Sequence, residues 1–289
     1  MRFDQNETLE QARERNIRDA LREDLGTGDW TAMLVPAGRK VEAHVVVRED
    51  AVLCGRDWFD GVFAALGAGS RIDWAYAEGA DMAAGSVVCR IRAESRTLLT
   101  AERPALNFLQ LLSATASLTR RHVQAIAGVS PNPKGCAILD TRKTLPGLRQ
   151  AQKYAVRVGG GQNQRLALWH GILIKENHIA AAGGVTQVLA NSRALDAGVE
   201  IQIEVETLAQ LREALAAGAT SVLLDNFDLE RMREAVAVNA GRALLEVSGS
   251  VQFDQLRAIA ATGVHRISIG KLTKDLRAVD FSMRVLATP

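Results

Sequence analysis

The sequence predicts an α/β protein of two domains, a small N-terminal α/β layer domain followed by a parallel barrel or open barrel. In the second half of the chain, six short apolar segments alternate with stretches that repeat apolar residues every three or four positions. This rhythm is typical of parallel βα units. The first half carries β-branched runs without that rhythm. A length of 289 residues fits two domains, since domains average about 150 residues.

Residues 7–25 predict an amphipathic surface helix. Leu9, Ile17, Leu21 and Leu25 stand among charged residues at a helical spacing, which places them on one face. Glycine is a common helix stop, so Gly26 is expected to end this helix.

The rest of the first domain is predicted to mix strands and helices. The runs VEAHVVV, IDWAYA and SVVCRIRA indicate strands, and DWFDGVFAAL indicates a helix. A long helix is then expected from about Leu98 to Ile126, with Thr100 as its cap and Pro104 in its first turn, where a missing amide costs nothing. The breaker GVSPNPKG ends this helix, so the first domain is predicted to span residues 1–128.

Residues 129–275 are predicted to form the barrel, and residues 276–289 a C-terminal segment that can return to the first domain. The six strands are AILD, GILI, IQIEVE, SVLLD, ALLEVS and RISI, spaced by roughly 20 to 35 residues of mostly helical pattern. Segments such as TLAQLREALAAGA end at glycine, as helical crossovers between parallel strands do. An open doubly wound sheet is the alternative, and the lack of a nucleotide-binding fingerprint favours the barrel.

The composition excludes several functions. Aromatic residues make up 4% and the net charge is +2, which argues against a nucleic-acid surface. No apolar run reaches the ~18 residues of a membrane span and the start of the chain is charged, so we expect a cytoplasmic protein with no membrane contact. Cys54, Cys89 and Cys136 are far apart, which predicts core residues rather than a disulfide or zinc site.

Polar residues follow nearly every predicted barrel strand. One such residue is typical of a solvated rim, but chemistry in parallel barrels gathers at the carboxyl ends of the strands, so six polar ends together predict a site. These residues are Asp140, Thr141, Arg142, Lys143, Lys175, Glu204, Glu206, Asp225, Asn226, Ser248, Gly249, Ser250, Gly270 and Lys271.

The segment from Thr141 to Lys175 has seven basic residues and no acidic one, which predicts an anion-binding region. Arg142, Lys143, Arg165 and Lys175 are favoured because they adjoin strands or the glycine loop at 159–161. The other three basic residues fall on a helix-like stretch and are expected on a solvated face: Arg149, Lys153 and Arg157.

Two further groups predict phosphate and metal binding. The turns Ser248-Gly249-Ser250 and Ile269-Gly270 lie where such barrels often bind phosphate, although ordinary turns are as compatible with the spacing. Glu204 and Asp225 end neighbouring strands and could hold Mg²⁺ together with substrate phosphate, or pair with the basic residues instead. GVHRISIGK lacks the spacing of a P-loop. His178 is more typical of a capping or interface residue and is left unassigned.

Several motifs together are similar to one family. LDTRKTLPGLRQAQKYAV (139–156), GGGQNQRLALWHGILIKENHI (159–179), LLEVSGS and ISIGKLT resemble the quinolinate phosphoribosyltransferases, decarboxylating enzymes that make nicotinate mononucleotide. REDLGTGDWT (22–31) and TAERPALNFLQLLS (100–113) resemble the N-terminal motifs of that family. The resemblance therefore covers essentially the whole chain.

The resemblance implies an N-terminal α/β sandwich and a C-terminal open α/β barrel, in a homodimer or higher homo-oligomer whose subunits share each active site. The implied substrates are quinolinate and phosphoribosyl pyrophosphate, with Mg²⁺ as cofactor. Attack by the ring nitrogen on C1 of the ribose would expel pyrophosphate, and loss of the adjacent carboxylate would follow.

The resemblance also assigns the site residues. Arg103 would reach the site of the neighbouring subunit, and Lys143 would face both substrates. Glu204 and Asp225 would act with Lys143 in catalysis, accept ribose hydroxyls and hold the metal. The carboxylates of quinolinate would be held by Arg142, Arg165 and Lys175, with Thr141 and Gln164 completing the substrate set, and the 5′-phosphate would be lined by Ser248, Gly249, Ser250, Ile269, Gly270 and Lys271.

Two positions depart from the family pattern. Gln164 stands where the family commonly has His, and His170 stands where it commonly has Asp. A glutamine can still donate a hydrogen bond to a carboxylate, whereas a histidine in place of an acid could unpair a neighbouring cation or change a subunit contact. Gln164 leaves open a relative with another planar acid as substrate, and His170 leaves open a catalytically silent homologue. A Schiff-base aldolase using Lys143 or Lys175 is a separate alternative that fits a barrel but would leave the other cations unexplained.

Overall fold

In the computed structural model of this chain, residues 6–286 are described, and residues 1–5 and 287–289 of the predicted terminal segments lie outside them. Single 3₁₀ turns occur at Ala32–Leu34 and Phe253–Gln255. In chain order, the other elements are α1 (Leu9–Leu25), β1 (Lys40–Val47), β2 (Ala51–Val52), α2 (Arg56–Leu66), β3 (Arg71–Trp74), β4 (Asp81–Met82), β5 (Val87–Glu94), α3 (Ser95–Ile126), β6 (Ala137–Leu139), α4 (Arg149–Val158), β7 (Gly171–Ile174), α5 (Glu176–Ala182), α6 (Val185–Ala194), β8 (Glu200–Val205), α7 (Leu208–Ala216), β9 (Ser221–Asp225), α8 (Leu229–Asn239), β10 (Leu244–Ser248), α9 (Leu256–Ala260), β11 (Arg266–Ser268), α10 (Lys271–Lys274) and β12 (Phe281–Val285).

The described chain forms two compact units that differ from the predicted ranges 1–128, 129–275 and 276–289. The first unit contains residues 6–120, 144–160 and 273–286, and the second contains residues 121–143 and 161–272. The boundary falls inside α3, and α4 belongs to the first unit although the barrel range was expected to include it. The reason is packing, because Ala151 and Ala155 of α4 are buried in the same hydrophobic core as Trp58.

The first unit is built on an antiparallel sheet with the strand order β12-β1-β5-β3, beside the small β2–β4 pair. Alternate residues of β1, namely Ala43, Val45 and Val47, are fully buried, as expected for a strand with one face on a core. The end of the chain returns to this sheet, since β12 pairs with β1 in the register Val45 to Met283.

The helices of the first unit begin and end as local chemistry dictates, with two corrections. Thr8 and Gln11 form a capping box at the start of α1, and Gly26 ends it as predicted. However, α3 begins at Ser95, because the carboxylate of Glu94 accepts the backbone N–H of Thr97 and satisfies the first turn.

Thr100 is therefore not the cap of α3. Its hydroxyl instead donates to Asp29 Oδ2 at 2.9 Å. The expectation for Pro104 was wrong for the same reason, since Pro104 lies in the interior of the helix rather than in its first turn. In the interior, a proline removes one intrahelical hydrogen bond.

The second unit is an open parallel barrel. All six predicted strands are present, in the order β6-β11-β10-β9-β8-β7. Strands consecutive in the chain are neighbours from β7 to β11, and the first strand, β6, pairs with the last, β11. A doubly wound sheet would reverse its strand order partway, so this order confirms the barrel, and the missing β6–β7 ladder leaves it open.

The solvated face expected for the basic residues of α4 is wrong in part. Arg157 is exposed, but Lys153 is only 1% exposed. The helix also buries Ala151, Gln152, Ala155 and Val156, so it is enclosed on more than one side and leaves little of its surface to solvent.

The cysteines behave as packing residues. Cys54 and Cys89 are buried free thiols and Cys136 is partly buried. Burial raises the pKa of the Cys136 thiol to about 12, which keeps it protonated and unreactive at neutral pH. No helix within residues 6–286 is both long and apolar enough to cross a membrane.

Candidate active site

The site begins where β6 ends, at Asp140, which is fully buried. Its carboxylate accepts hydrogen bonds from Asn163 Nδ2 at 2.6 Å and from the backbone N–H of Gln164 at 2.9 Å. The preceding residue of the loop, Gln162, bridges to Leu139 as a parallel strand would. The loop after the glycines is thereby fastened to the open side of the barrel, and this fixes the positions of Gln164 and Arg165.

Two guanidinium groups, those of Arg142 and Arg165, are close enough to interact electrostatically. Arg165 Nη1 donates to the carbonyl of Gly171 at 2.9 Å, while its buried Nε has no hydrogen-bond partner. Burial, and secondarily the positive charge of Arg142, lower the pKa of Arg165. Two half-buried cations side by side repel each other, and an anion bound between them would relieve that cost.

Lys143 lies over the last strand end. Its backbone N–H donates to Thr141 Oγ1 at 3.0 Å, which tightens the turn after β6. A Cβ built on Gly270 would lie 3.0 Å from Lys143 Cδ and 3.5 Å from Thr141 Oγ1. The glycine therefore leaves the space that the lysine side chain occupies, and the two predicted site segments meet here.

An ion pair joins the ends of β7 and β8. Lys175 Nζ lies 3.2 Å from Glu204 Oε2, and the side chain of Glu204 is only 8% exposed. Burial raises the pKa of Glu204, and the negative charge of Asp225 adds to the rise, while Lys175 acts in the opposite direction. The structure thus shows the pairing with a basic residue that was the alternative for Glu204, and it also brings the two predicted metal ligands into electrostatic contact.

Asp225 is held at the end of β9 by its neighbours. Ser248, its direct partner in the β9–β10 register, donates its hydroxyl to Asp225 Oδ1 at 2.7 Å. Asn226 Nδ2 donates to the other carboxylate oxygen at 2.9 Å. Both oxygens keep further lone pairs, so the carboxylate can also accept hydroxyl groups or bind a cation.

Two residues of the turn after β10 have positive φ. Gly249 has φ +99° and Ser250 has φ +44°, values in the left-handed region. Lys271 is tied to this turn, since its Nζ donates to Gln252 Oε1 at 2.7 Å and Gln252 Nε2 donates to the carbonyl of Ser250 at 2.9 Å. Ile269 is buried, and its N–H is used by the sheet, donating to Leu139 O.

Three other residues that the sequence singled out have contacts or positions of their own. Arg103 is on α3 of the first unit, with an exposed side chain. His178 has a capping role, since its Nδ1 accepts the backbone N–H of Lys175 at 3.0 Å. His170 Nδ1 accepts the N–H of Leu166 at 3.3 Å and so closes a turn within its own loop.

Sequence reasoning missed two buried polar residues beneath the site. Gln202 and Glu246 are 4% and 2% exposed. Each stands two positions before a predicted site residue, Glu204 or Ser248, and side chains two apart in a strand share a face. That alternation was the available signal, because it places both residues inside the barrel.

Comparisons with known proteins identify the family. The family model of the quinolinate phosphoribosyl transferase C-terminal domain matches residues 115–284, and that of the N-terminal domain matches residues 29–113. The chain is 40% identical to the carboxylating nicotinate-nucleotide pyrophosphorylase of Mycobacterium leprae, covering 92% of this chain and 95% of that protein. It is 36% identical to the probable enzyme of the same name from Bacillus subtilis, covering 91% and 90%.

A solved structure gives the same result. The nicotinate-nucleotide pyrophosphorylase from Francisella tularensis superposes with a TM-score of 0.91 at 40% identity, covering 99% of this chain and 100% of that one. Two family models together span most of the chain, and relatives well above 30% identity extend over nearly its full length. The chain therefore belongs to the quinolinate phosphoribosyltransferase family.

Proposed function

We propose that this chain is a decarboxylating quinolinate phosphoribosyltransferase of NAD biosynthesis. It transfers phosphoribosyl from phosphoribosyl pyrophosphate to quinolinate and forms nicotinate mononucleotide, pyrophosphate and CO₂. The observation that carries this function is the pair Arg142 and Arg165, two half-buried guanidinium groups of the barrel unit that interact electrostatically. Planar forks of this kind match the carboxylates of a planar dicarboxylate.

The site residues divide the two substrates by charge. Arg142 and Arg165, with Lys175, hold the carboxylates of quinolinate, and Thr141 and Gln164 complete that side. Carboxylates repel a dicarboxylate but accept hydroxyl groups. Glu204 and Asp225 therefore belong to the ribose side, and Lys143 reaches both substrates. The turns that hold the 5′-phosphate are those of Ser248, Gly249 and Ser250 and of Ile269, Gly270 and Lys271.

Glu204 and Asp225 also fit a magnesium ion. Both offer carboxylate oxygens, and the charge of Asp225 raises the pKa of Glu204, so a cation near both would relieve their repulsion. Among residues 6–286 no three acidic, His or Cys side chains form a metal cluster. This suits Mg²⁺, which usually binds one or two carboxylates together with substrate phosphate oxygens. When bound with the substrate, the ion would neutralise the departing pyrophosphate.

The reaction proceeds by attack of the quinolinate ring nitrogen on C1 of the ribose as pyrophosphate leaves. The transition state has oxocarbenium character, and the nearby carboxylates stabilise its positive charge. Loss of CO₂ follows because the ribosylated ring can accept the electron pair of the broken bond. A proton from water then replaces CO₂ at that ring carbon and gives nicotinate mononucleotide. The protein mainly positions and neutralises its two anionic substrates.

The test of the reaction is an assay of pyrophosphate and CO₂ release from quinolinate, phosphoribosyl pyrophosphate and Mg²⁺, with nicotinate and nicotinamide as competing acceptors. We expect release of one CO₂ for each pyrophosphate, and only with quinolinate. Faster turnover of nicotinate would refute the assignment. Calorimetric binding of both substrates without pyrophosphate release would instead identify a silent homologue.

We also propose that the protein is a homodimer or higher homo-oligomer in which Arg103 completes the site of a neighbouring subunit. The exposed position of Arg103 on α3 supports this role. The cytoplasmic location stays a prediction.

Subunit mixing tests the shared site. Arg103→Ala and Lys143→Ala variants should each be nearly inactive, and a reassociated mixture should recover about a quarter of the wild-type activity, because half of the random dimers are mixed and each of these has one intact site. A mixture of Arg142→Ala with Lys143→Ala is the matched control and should recover nothing. Absence of recovery in the first mixture, with subunit exchange confirmed, would remove Arg103 from the neighbouring site.

A further inference from the structure

One exposed side chain bridges the two turns proposed for the 5′-phosphate. Gln252 Nε2 donates to the carbonyl of Ser250 at 2.9 Å, and Gln252 Oε1 accepts from Lys271 Nζ at 2.7 Å. Ser250 lies in the turn after β10, and Lys271 begins α10 shortly after β11. Because β10 and β11 are neighbours in a parallel sheet, the two turns follow adjacent strand ends, and Gln252 connects them directly.

The chemistry of the two partners fixes the orientation of the Gln252 amide. A lysine ammonium group only donates hydrogen bonds, and a backbone carbonyl only accepts them. The amide oxygen of Gln252 must therefore face Lys271, and its NH₂ group must face Ser250. The opposite orientation of the amide would lose both hydrogen bonds, so the bridge has a single arrangement.

The backbone that carries this side chain is also held in place. The N–H of Gln252 donates to Gln255 Oε1 at 3.1 Å. The next residue, Phe253, packs on the last turns of α3, where Arg121 Cζ lies 5.1 Å and the His122 ring 5.0 Å from the centroid of its ring. All these residues belong to the second unit. The segment after the turn is thus anchored, and a side chain on an anchored segment is suited to orient its partners.

The bridge leaves hydrogen-bond donors for an anion on both sides. The ammonium group of Lys271 has three N–H bonds and gives one of them to Gln252. Within residues 6–286, no group accepts the backbone N–H of Gly249, Ser250 or Val251. Backbone N–H groups and lysine ammonium groups are donors that bind phosphate in proteins.

We propose that Gln252 is a positioning residue for the 5′-phosphate of phosphoribosyl pyrophosphate, which acts by holding the ammonium group of Lys271 beside the turn of Ser250. A lysine side chain has many rotamers, and fixing one of them when a ligand binds costs entropy. The bridge orders Lys271 before the ligand arrives, so less entropy is lost on binding. The proposal rests on the proposed function and deepens it, because it concerns the phosphate side of the same site.

The first test replaces the amide of Gln252 and compares the two substrates. Gln252→Met keeps the length of the side chain and removes both hydrogen bonds, so the KM for phosphoribosyl pyrophosphate should rise about three- to tenfold while that for quinolinate changes less than twofold. Because Gln252 is exposed, the variant should fold as the wild type does. Equal rises in both KM values would overturn the proposal.

Gln187→Met is the matched control. Gln187 is likewise an exposed glutamine of the second unit, and its Nε2 donates to Asn191 Oδ1 at 2.8 Å on the same helix, α6. Loss of this hydrogen bond should leave both KM values within about twofold of the wild type, because neither residue is part of the proposed site.

A second replacement, Gln252→Glu, distinguishes positioning from support of the fold. Glutamate has nearly the same shape and can still accept from Lys271, but it cannot donate to the carbonyl of Ser250 and it adds a negative charge near the phosphate. A purely structural role would make this change milder than methionine at an exposed position. We expect the larger rise instead, at least about tenfold in the KM for phosphoribosyl pyrophosphate, and a smaller rise than that of Gln252→Met would overturn the proposal.

A double-variant cycle shows whether Gln252 acts through Lys271. Lys271→Met alone should raise the KM for phosphoribosyl pyrophosphate. Addition of Gln252→Met to this variant should raise the KM by a smaller factor than it does in the wild type, because the ammonium group that the amide holds is already absent. The same factor in both backgrounds would overturn the proposal.

The wild-type assay keeps the two levels of inference apart. A wild-type protein without quinolinate-dependent release of pyrophosphate would refute the proposed function itself. An active wild type whose Gln252 variants behave like Gln187→Met would refute only the positioning role.

Discussion

Replacement of Gly249 by alanine is the sharpest test of the phosphate turn. The residue has φ +99°, and a Cβ added there would lie 2.1 Å from Asn226 Oδ1, 2.8 Å from its Cγ and 2.9 Å from its backbone nitrogen. The Asn226 side chain can rotate away, but only by giving up its hydrogen bond to Asp225 Oδ2. The backbone nitrogen cannot move without disturbing the end of β9.

The magnitude follows from these contacts. A left-handed backbone costs an alanine about 1–2 kcal/mol, and a lost hydrogen bond adds about 1 kcal/mol, so we expect a loss of at least about 2–3 kcal/mol of unfolding free energy. For a domain of this size that lowers the Tm by roughly 4–12 °C. The KM for phosphoribosyl pyrophosphate should rise more than about tenfold while that for quinolinate changes little, because Asp225 and the turn lie on the ribose side.

Gly183→Ala is the control for backbone strain alone. Gly183 has φ +88° and a Cβ there would meet nothing within 4 Å, so only the strain of about 1–2 kcal/mol is expected. Differential scanning calorimetry compares the two variants, and steady-state kinetics measures both substrates. Equal Tm values for the two variants would refute the argument, since they would show that Asn226 does not fill the space beside Gly249.

Three further predictions concern the charged groups. Burial raises the pKa of Glu204 above its ordinary value of 4.5, so ionisation of Glu204 lowers the stability of the folded protein as the pH rises through the folded-state pKa. Glu204→Gln should therefore unfold at a higher temperature than the wild type at pH 7.5, and calorimetry should find this difference reduced near pH 4. The activity of the variant should be at least about 100-fold lower. Asp225→Ala should weaken the binding of phosphoribosyl pyrophosphate at least about tenfold more than that of quinolinate in calorimetry, and equal losses would contradict the division by charge. Arg165→Lys should raise the KM for quinolinate about tenfold or more without a change in fold, because one ammonium group cannot both donate to the carbonyl of Gly171 and replace the second fork of the guanidinium group. An unchanged KM would show that Arg165 is structural.

The fold was largely predictable from local pattern. Each barrel strand carries a short apolar run that ends in polar residues, and these runs appear as β6 to β11 within a residue or two. The start of α3 was not predictable from that pattern, because it depends on Glu94 at the end of β5. The carboxylate of Glu94 replaces the hydroxyl cap that was expected. Capping by a residue outside the periodic stretch leaves no hydrophobic signal.

The burial of Lys153 was unpredictable for a related reason. Charged residues are normally exposed, and the sequence of α4 contains no sign that the helix is enclosed. That enclosure comes from the packing of Ala151 and Ala155 into the core that also contains Trp58. It is a tertiary fact, set by residues almost 100 positions away in the chain.

The candidate site was predictable as a set of strand ends, but not as a set of pairs. Proximity to strands selected Lys175 and Glu204 separately, and pairing with a basic residue was one alternative for Glu204, yet nothing in the sequence indicated that the partner would be Lys175. Pairing depends on the order of strands in the sheet. The β7–β8 pairing places these two side chains on adjacent strand ends, and an open doubly wound sheet could have separated them.

The strand β8 shows how the site and the interior are connected. Glu200, Gln202 and Glu204 alternate along it and share one face. The first pairs with Arg266, the second bridges Gln164 and Glu246, and the third contacts Lys175. A barrel interior is usually filled with branched apolar side chains, and each buried polar group placed there is tolerable only when its partners are present. Loss of one partner in this row should therefore cost more unfolding free energy than replacement of both partners by apolar residues of similar volume. Changes to Glu204 and Lys175, nearest the strand ends, should affect substrate binding, whereas changes to Glu200 and Arg266 should affect stability alone.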